Sequence, residues 1–493
     1  MTMNVRTNRI THLLALASSF ILTAGFITSC SNSPASSSNN TVNAPAVSVP
    51  VLITDAPSDQ LVAFSLTIDS IVLNGSKGSA TVLSTPTTIE ICHLNGIQAP
   101  LVTANIAQDT YTSAVITFSS PEITYISSAG AAITVTPTLA TTSYTYTFPM
   151  PGPFTISSSS SGALLFDLIA SKSVNIVGTT VTVTPTFTVT GVPAASAVPP
   201  PGQNGTGMQQ MATVVSVSGT SLTLEPGSGP NFTVTTNSST LLQGFSALSA
   251  LTAGELVQVD FILLPGPCPL SVSNACIAPP PVLLATRIQL AQPTAVGPPI
   301  NLLTGPVLSV SSGGFKMALM QGLGVAASAA ATTSIVTVTT NSSTVYAIAP
   351  QFVSLSALPF TPTFTSANLS PGQTVGVVAS VVSPVPNWTA TATNVTLMPQ
   401  TLGGTVTAIS TVGTWTAYTL SLPSGSAFAT LSGASTVTVY TNANTAPPPP
   451  TPFSTAPPIA VNSVVRFNGL VFSTGGGAFA MVAGCSPDGP PGI

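Results

Sequence analysis

Residues able to carry out chemistry are scarce in this chain: 493 residues hold eleven Asp and Glu, seven Lys and Arg, two His and five Cys. After the first thirty residues the only histidine is His93. A Ser-His-Asp hydrolase would have to use it as the general base, and no G-x-S-x-G nucleophile turn accompanies it. The alternation Ile89, Ile91, His93 predicts a strand over 89–94 with the imidazole on the apolar face. That placement favours a structural histidine over a general base.

The carboxylates offer two further chemistries. Asp55 and Asp59 flank the segment Thr54-Asp55-Ala56-Pro57-Ser58-Asp59, and two carboxylates on one loop could hold a calcium ion together with backbone carbonyls. The plainer reading, and the favoured one, is an Asx-type turn in which Pro57 fixes one dihedral. Two acids are also enough to cleave a glycosidic bond, so Asp55, Asp59 or Asp167 could serve a hydrolase on the N-terminal part. Eleven acids spread over several modules show no matched pair. Gly475-Gly476-Gly477 and Gly403-Gly404 lack the Lys and the following helix of a phosphate cradle and read as linker or hairpin. No cofactor is expected.

Among the cysteines, Cys268 and Cys276 could bridge the loop over 267–279 in an oxidising compartment, and two free thiols in that loop are an equal alternative. Zinc binding there lacks a nearby His and the spacing of a zinc knuckle. Cys30 is a different case. Arg6 and Arg9 precede the apolar run Leu13–Ile27, which is short and Ser/Thr-broken for a bilayer span but fits the hydrophobic part of a secretory signal. The run ends in Ile27-Thr28-Ser29-Cys30, which resembles the bacterial lipobox. The resemblance implies that Cys30 becomes the lipidated first residue of the mature protein, with the two acyl signals that stable anchoring requires. An ordinary signal peptide that happens to contain a Cys is the alternative. Ser31 after the Cys is, by analogy, compatible with outer-membrane sorting.

Composition bounds what stands behind these residues. Charged residues make up 4% of the chain, so its surfaces must be covered by hydroxyls and amides in place of Lys and Glu. An apolar content of 44% can offset ordering entropy, which predicts folded modules and not a disordered chain. Seven basic residues, two of them in the first ten positions, leave no patch able to neutralise a run of phosphates, which excludes nucleic acid as a partner. Residues 31–43, rich in Ser and Asn, read as a flexible tether.

The elements are predicted to be strands almost throughout. From Val49 to Gly191, short β-branched runs such as Phe64-Leu66-Ile68, Val115–Phe118, Leu164–Leu168 and Val181–Val189 alternate with turn clusters such as Asn74-Gly75-Ser76-Lys77-Gly78. This pattern predicts a β-sandwich. Val51-Leu52-Ile53-Thr54-Asp55-Ala56-Pro57, Ser65–Leu73, Asp109-Thr110-Tyr111-Thr112 and Leu165-Phe166-Asp167 ahead of Ser173-Val174 together resemble the bacterial domain of unknown function 4382. That resemblance implies an exported or lipid-anchored protein.

After a Pro-rich hinge an internal repeat begins. Thr233–Thr240 and Thr337–Thr344 both read TVTTNSST, and Thr438–Thr445 reads TVYTNANT. Each copy follows a strand starting at Ala212, Gly305 or Gly404 and precedes Leu251-x-x-Gly254-x-x-Val257-x-Val259, Leu369-x-x-Gly372-x-x-Val375-x-Val377 or Ile459-x-x-Asn462-x-x-Val465-x-Phe467. A closing strand recurs at 285–290 and 392–397, and the third copy ends less clearly near Met481. A period of roughly a hundred residues is that of whole domains and not of a solenoid, so beads on a string, each with its own core, are expected. The repeats resemble a second exported family of unknown function, which implies small OB-like β-barrels.

The expected architecture is therefore all-β: signal peptide 1–29, tether 30–47, β-sandwich 48–191, linker 192–208, and barrels 209–292, 303–398 and 402–484. The expected function is that of a non-catalytic, exported lipoprotein of the bacterial cell envelope, at the outer membrane or cell surface. Its role is structural or ligand-binding, with the membrane as one partner and polysaccharide or an envelope protein as another. The alternative is a hydrolase or calcium-dependent activity using Asp55, Asp59 or Asp167. Glycan binding would need aromatic platforms, for which Trp388, Trp415, Tyr111, Tyr125 and Tyr346 are the candidates if they are not core.

Overall fold

The segment Phe64-Ser65-Leu66-Thr67-Ile68 buries every second residue, but the next core residues, Ile71 and Leu73, have the opposite parity. A strand can keep both sets on one face only if one residue is looped out, and the pairing slips at that point, from Ile68↔Phe118 to Ser70↔Thr117. The extra residue is Asp69, whose carboxylate accepts a hydrogen bond from Ser119 Oγ at 2.8 Å. A sequence that looks out of phase is thus one long bulged strand.

The computed structural model describes residues 46–56, 58–94, 98–147, 154–157, 162–194, 207–227, 229–264, 281–290, 301–323, 335–349, 355–383, 388–442 and 459–488. Cys30, Cys268 and Cys276 lie outside them. The N-terminal module runs through β1 (Ala46–Ala56), β2 (Leu61–Gly75), β3 (Ser79–Leu83), β4 (Thr87–Glu90), β5 (Ala99–Ala107), β6 (Asp109–Ile126), β7 (Ala132–Val135), β8 (Ser143–Thr147), β9 (Phe154–Ile156), β10 (Gly162–Ile169), β11 (Val174–Val177), β12 (Thr180–Val183) and β13 (Phe187–Pro193). One sheet has the order β13-β10-β1-β5. The facing sheet has the order β3-β2-β6-β7, with β4 added to β2 and with β8 and β9 added to β6. The inner faces share one core of Val, Ile, Leu, Phe and Tyr. This is the predicted β-sandwich.

The three repeats share one topology. In the first, β14 (Gly207–Ser218), β15 (Ser221–Pro226), β16 (Phe232–Thr235), β17 (Leu241–Gln243), β18 (Leu256–Leu264) and β19 (Val282–Leu290) form a sheet closed by a parallel β16–β19 contact. The second contains β20 (Asn301–Ser311), β21 (Gly314–Ala318), β22 (Gln321–Leu323), β23 (Ile335–Thr339), β24 (Val345–Ile348), β25 (Thr374–Ser383) and β26 (Thr389–Leu397), closed by β20–β21 and by parallel β23–β26 pairing. The third, β27 (Gln400–Val412), β28 (Trp415–Ser421), β29 (Thr436–Thr441), β30 (Val464–Gly475) and β31 (Ala478–Asp488), is a closed barrel in the order β27-β28-β29-β31-β30. In each, five strands close the ring with OB-like connectivity, leaving β17 outside it in the first repeat and β22 and β24 outside it in the second. The third copy, unclear near Met481 in the sequence, closes with β31.

The repeated motifs are the devices that close these barrels. Asn237 Oδ1 accepts from Ser239 N at 2.8 Å, and Thr240 Oγ1 donates to Ala285 O at 2.7 Å. Asn341 Oδ1 accepts from Ser343 N at 2.9 Å, and Thr344 Oγ1 donates to Ala392 O at 3.0 Å. The TVTTNSST copies therefore form an Asx turn followed by a Thr that ties the turn to the last barrel strand. In the L-x-x-G motif, Gly254, Gly372 and Asn462 have φ of 90°, 90° and 73°. Their amides donate to Val214 O, Val307 O and Val406 O, each at 2.8 Å, where the first strand of the barrel carries a bulge. The left-handed conformation explains why only Gly and Asn occupy this position.

The barrels are not beads on a string. Residues 44–493 form one compact unit. Trp415, Leu470, Phe472 and Val482 of the third barrel share a core with the second barrel. Leu52, Leu165 and Val192 on the outer face of the sandwich pack with Leu263 of the first barrel. Val62 and Ile126 of the sandwich meet Ala318 of the second barrel, with Ala427 and Leu431 of the short helix Ala427–Ser432 packed against them. Every module is buried against others, and β18 is accordingly buried on both faces, Gln258 and Asp260 on its outer face included. Among the described residues, no helix is long and apolar enough to cross a membrane.

Candidate functional site

The turn after β1 is the point at which the sandwich meets the last barrel. Asp59 Oδ2 accepts from Arg466 Nη2 of β30 at 3.2 Å, and Ala427 N donates to Asp59 O at 2.7 Å. Gly403 faces this carboxylate, and a Cβ there would come within 2.9 Å of both its oxygens. Residues 407 positions apart in sequence thus fasten the first module to the fourth.

Asp55 has different surroundings. It is on the face of β1 that carries Val51 and Ile53, so it points into the sandwich, where Oδ1 accepts from Ala170 N at 3.1 Å and Oδ2 has no partner. Burial pushes its pKa well above the usual value; the amide of Ala170 pulls it down, the carboxylates of Asp167 and Glu90 raise it further, and Arg466 lowers it. Its described hydrogen bond reaches a residue 115 positions away and is not a local Asx turn. Asp167 lies between Phe166 and Leu168, which pack in the core, and so faces the opposite side of the same sheet. The three acids singled out in the sequence are engaged separately: one in the core, one in an inter-module ion pair and one on the outer face. Among the described residues, no three His, Cys, Asp or Glu side chains cluster as metal ligands.

His93 corrects the predicted strand over 89–94. The strand ends at Glu90, and Cys92–Leu94 is a turn of 3-10 helix. Glu90 organises it: Oε1 accepts from Phe64 N at 2.9 Å and Cys92 N at 3.0 Å, while Oε2 accepts from His93 N at 2.9 Å and lies 3.1 Å from His93 Nδ1. The imidazole serves the turn. The pKa of the Cys92 thiol is pushed well up by burial and by the Glu90 and Asp55 carboxylates, so it is held as a thiol and not as a thiolate nucleophile.

Asp109, where the Asp109-Thr110-Tyr111 entry begins, is also structural. It accepts from Ser76 Oγ at 2.5 Å, Lys77 N at 2.7 Å and Thr110 N at 2.7 Å. Desolvation pushes its pKa up, but these hydrogen bonds, helped by the charge of Lys77, outweigh it and hold the carboxyl below its ordinary value. Gly75 is required opposite, because a Cβ there would clash with the carboxylate.

Three of the five aromatic candidates are core and two are half-buried. Trp415 is 1% exposed and donates Nε1–H to Ala357 O at 3.0 Å, Tyr111 and Tyr125 are buried, and Trp388 and Tyr346 pack against the second barrel's core. Trp415, Tyr111 and Tyr125 are thus too buried to serve as stacking platforms for sugar rings.

What the modules do enclose is a cavity of about 190 Å³ at the junction of the sandwich and all three barrels. Its wall includes Asp59 and His93 of the sandwich, Gln210 of β14, Thr304 of β20, Gln400 of β27 and Asn468 of β30. Gln400 also joins two barrels, accepting from Thr374 N at 2.7 Å and donating to Gly372 O at 3.1 Å. Asp59, His93, Gly372 and Gly403 stood out in the sequence for other reasons, but nothing there brought them together, because the wall is drawn from separate strands and turns of all four modules.

The fold and its site define an all-β protein in which an N-terminal sandwich and three OB-like barrels surround a small cavity of mixed polar and apolar wall. Residues 46–184 match the model of the family described as Domain of unknown function (DUF4382), which covers most of the sandwich. No curated protein shows a significant match to the chain.

Proposed function

We propose that this chain is an exported lipoprotein of the bacterial cell envelope, anchored through Cys30, whose mature part is non-catalytic and has a structural or ligand-binding role. The observation that carries the non-catalytic part is the separate use of the three candidate acids. Asp59 fastens two modules, Asp55 faces the sandwich core with its pKa raised, and Asp167 lies on the opposite face of the sheet from Asp55. A two-carboxylate mechanism needs both groups to face one cleft, and Asp55 and Asp167 are on opposite faces of one sheet. The anchor is supported by the basic residues, apolar run and Ile27-Thr28-Ser29-Cys30 sequence, followed by the Ser/Asn-rich tether.

Metabolic labelling with an alkyne-tagged fatty acid is expected to mark the wild type in the membrane fraction and to leave Cys30→Ala unlabelled. Retention of the label in Cys30→Ala, or an intact leader on a cytosolic protein, would defeat the anchor. A panel of glycoside, ester and peptide substrates is expected to show no turnover by the wild type. Turnover that disappears in Asp167→Asn would establish the hydrolase instead.

A further inference from the structure

We infer that the cavity at the junction of the four modules is a binding site for a small, uncharged, polyhydroxylic solute, an inference that rests on the ligand-binding form of the proposed function. A site needs room, and 190 Å³ exceeds the roughly 150 Å³ that accommodates benzene in an engineered protein cavity. That is space for a polyol of about eight to ten non-hydrogen atoms. A site also needs hydrogen-bonding groups that the fold has not already used. Gln210 lines the cavity, is 4% exposed, and its amide nitrogen has no partner within the protein. A buried amide donor left unpaired costs the fold about 1–3 kcal/mol, so its retention points to an acceptor supplied from outside.

Charge on the wall selects the class of solute. Of the groups on the wall, the Asp59 carboxylate is opposed by Arg466, and the His93 ring is tied through Nδ1 to Glu90, whose oxygens already accept from the amides of Phe64, Cys92 and His93. The remaining polar lining consists of neutral amides and hydroxyls, Gln210, Gln321, Thr304 and Asn468 among them. An anion or cation entering would lose its hydration without gaining a counter-charge, whereas a polyol exchanges hydroxyl–water bonds for hydroxyl–amide bonds. Met320 and Met398 supply adaptable apolar wall for the carbon skeleton.

The test uses the full chain in a polyoxyethylene detergent, which contains no sugar, titrated calorimetrically with erythritol and xylose and with the charged relatives xylonate and xylosamine. Saturable heat is expected for at least one neutral probe, with affinity at least tenfold weaker for both charged ones. Gln210→Met should weaken binding at least tenfold without lowering the melting temperature, since it removes a donor that supports nothing in the unliganded fold. Thr304→Val, which keeps the shape of the wall, should weaken binding severalfold and provides the reading if Gln210→Met does not fold. The inference is overturned if neither neutral probe binds, if charged probes bind equally well, or if both variants bind like the wild type. None of these results touches fatty-acid labelling or turnover, so the envelope reading stands or falls separately.

Discussion

The buried pair Asp260–Arg287 gives the most demanding test of how the first barrel is held. The two residues are direct cross-strand partners on β18 and β19, with Arg287 Nε 2.7 Å from Asp260 Oδ2. Their side chains are 0% and 2% exposed, although they alternate with the core residues Val259 and Phe261 and so lie on the outside of the barrel wall. They are nevertheless shielded from solvent. Removing one member strands a charge in a dry environment, which costs about 3–5 kcal/mol. Replacing both by apolar residues of similar volume removes the stranded charge and should be close to neutral. Asp260→Asn and Arg287→Met are each expected to lower the urea midpoint of the first unfolding transition, and Asp260→Leu/Arg287→Met to recover most of the loss. Tryptophan fluorescence from Trp388 and Trp415 reports on the second and third barrels, and far-ultraviolet circular dichroism reports on the whole chain. Single variants with unchanged midpoints, or a double variant as unstable as the sum of the singles, would refute the assignment of this pair to a solvent-free environment.

Two shorter predictions follow from backbone and charge. Asn462→Gly should be neutral or stabilising by up to about 1 kcal/mol, because Gly relieves the left-handed conformation, whereas Gly254→Ala should destabilise by about 1–2 kcal/mol; thermal melting of both variants tests the shared role of the motif. Because Asp55 keeps its proton in the folded protein above the ordinary value of 3.8, the unfolded chain releases its proton first and stability falls as pH rises above that value, by up to about 1.4 kcal/mol per pH unit. Asp55→Asn should flatten that fall, and a urea series across pH that shows parallel slopes for wild type and variant would contradict the burial of this carboxyl.

Much of the architecture was legible because it is local. Period-two alternation, β-branched runs and a hundred-residue repeat specify strands and barrels wherever one face is buried, and the family resemblance of the sandwich is matched over residues 46–184. The alternation put His93 in a strand, whereas it lies in a turn of 3-10 helix. The missed sign was Glu90, three residues earlier, a spacing that suits a turn of helix whose amides a carboxylate can cap. The assembly was not legible, since nothing within a window of sequence pairs Asp59 with Arg466 or puts Trp415 in a core with Phe315. The same limit hid the cavity, whose wall is assembled from every module.

The scarcity of charge and the merging of the modules have a common physical basis. With 4% charged residues the chain has few groups whose desolvation would penalise contact between modules, so barrel surfaces rich in Thr, Val and Ala can bury one another at little cost. Neutral surfaces alone would leave the docking register loosely specified, as apolar contact is non-directional. The few directional groups occur where register has to be set. Gln373, 0% exposed, accepts from Ser370 N at 2.7 Å in its own barrel and donates to Val471 O of the next at 2.8 Å. Trp415 donates in the reverse direction, from the third barrel to Ala357 O of the second. Arg466 reaches from the last barrel to the turn that opens the sandwich. Each of these bonds would be left unmade by a shift of one residue in the packing, and an unmade buried bond costs more than a made one contributes. The geometry of the central cavity therefore depends on a handful of polar contacts between modules, even though most of the buried area is apolar.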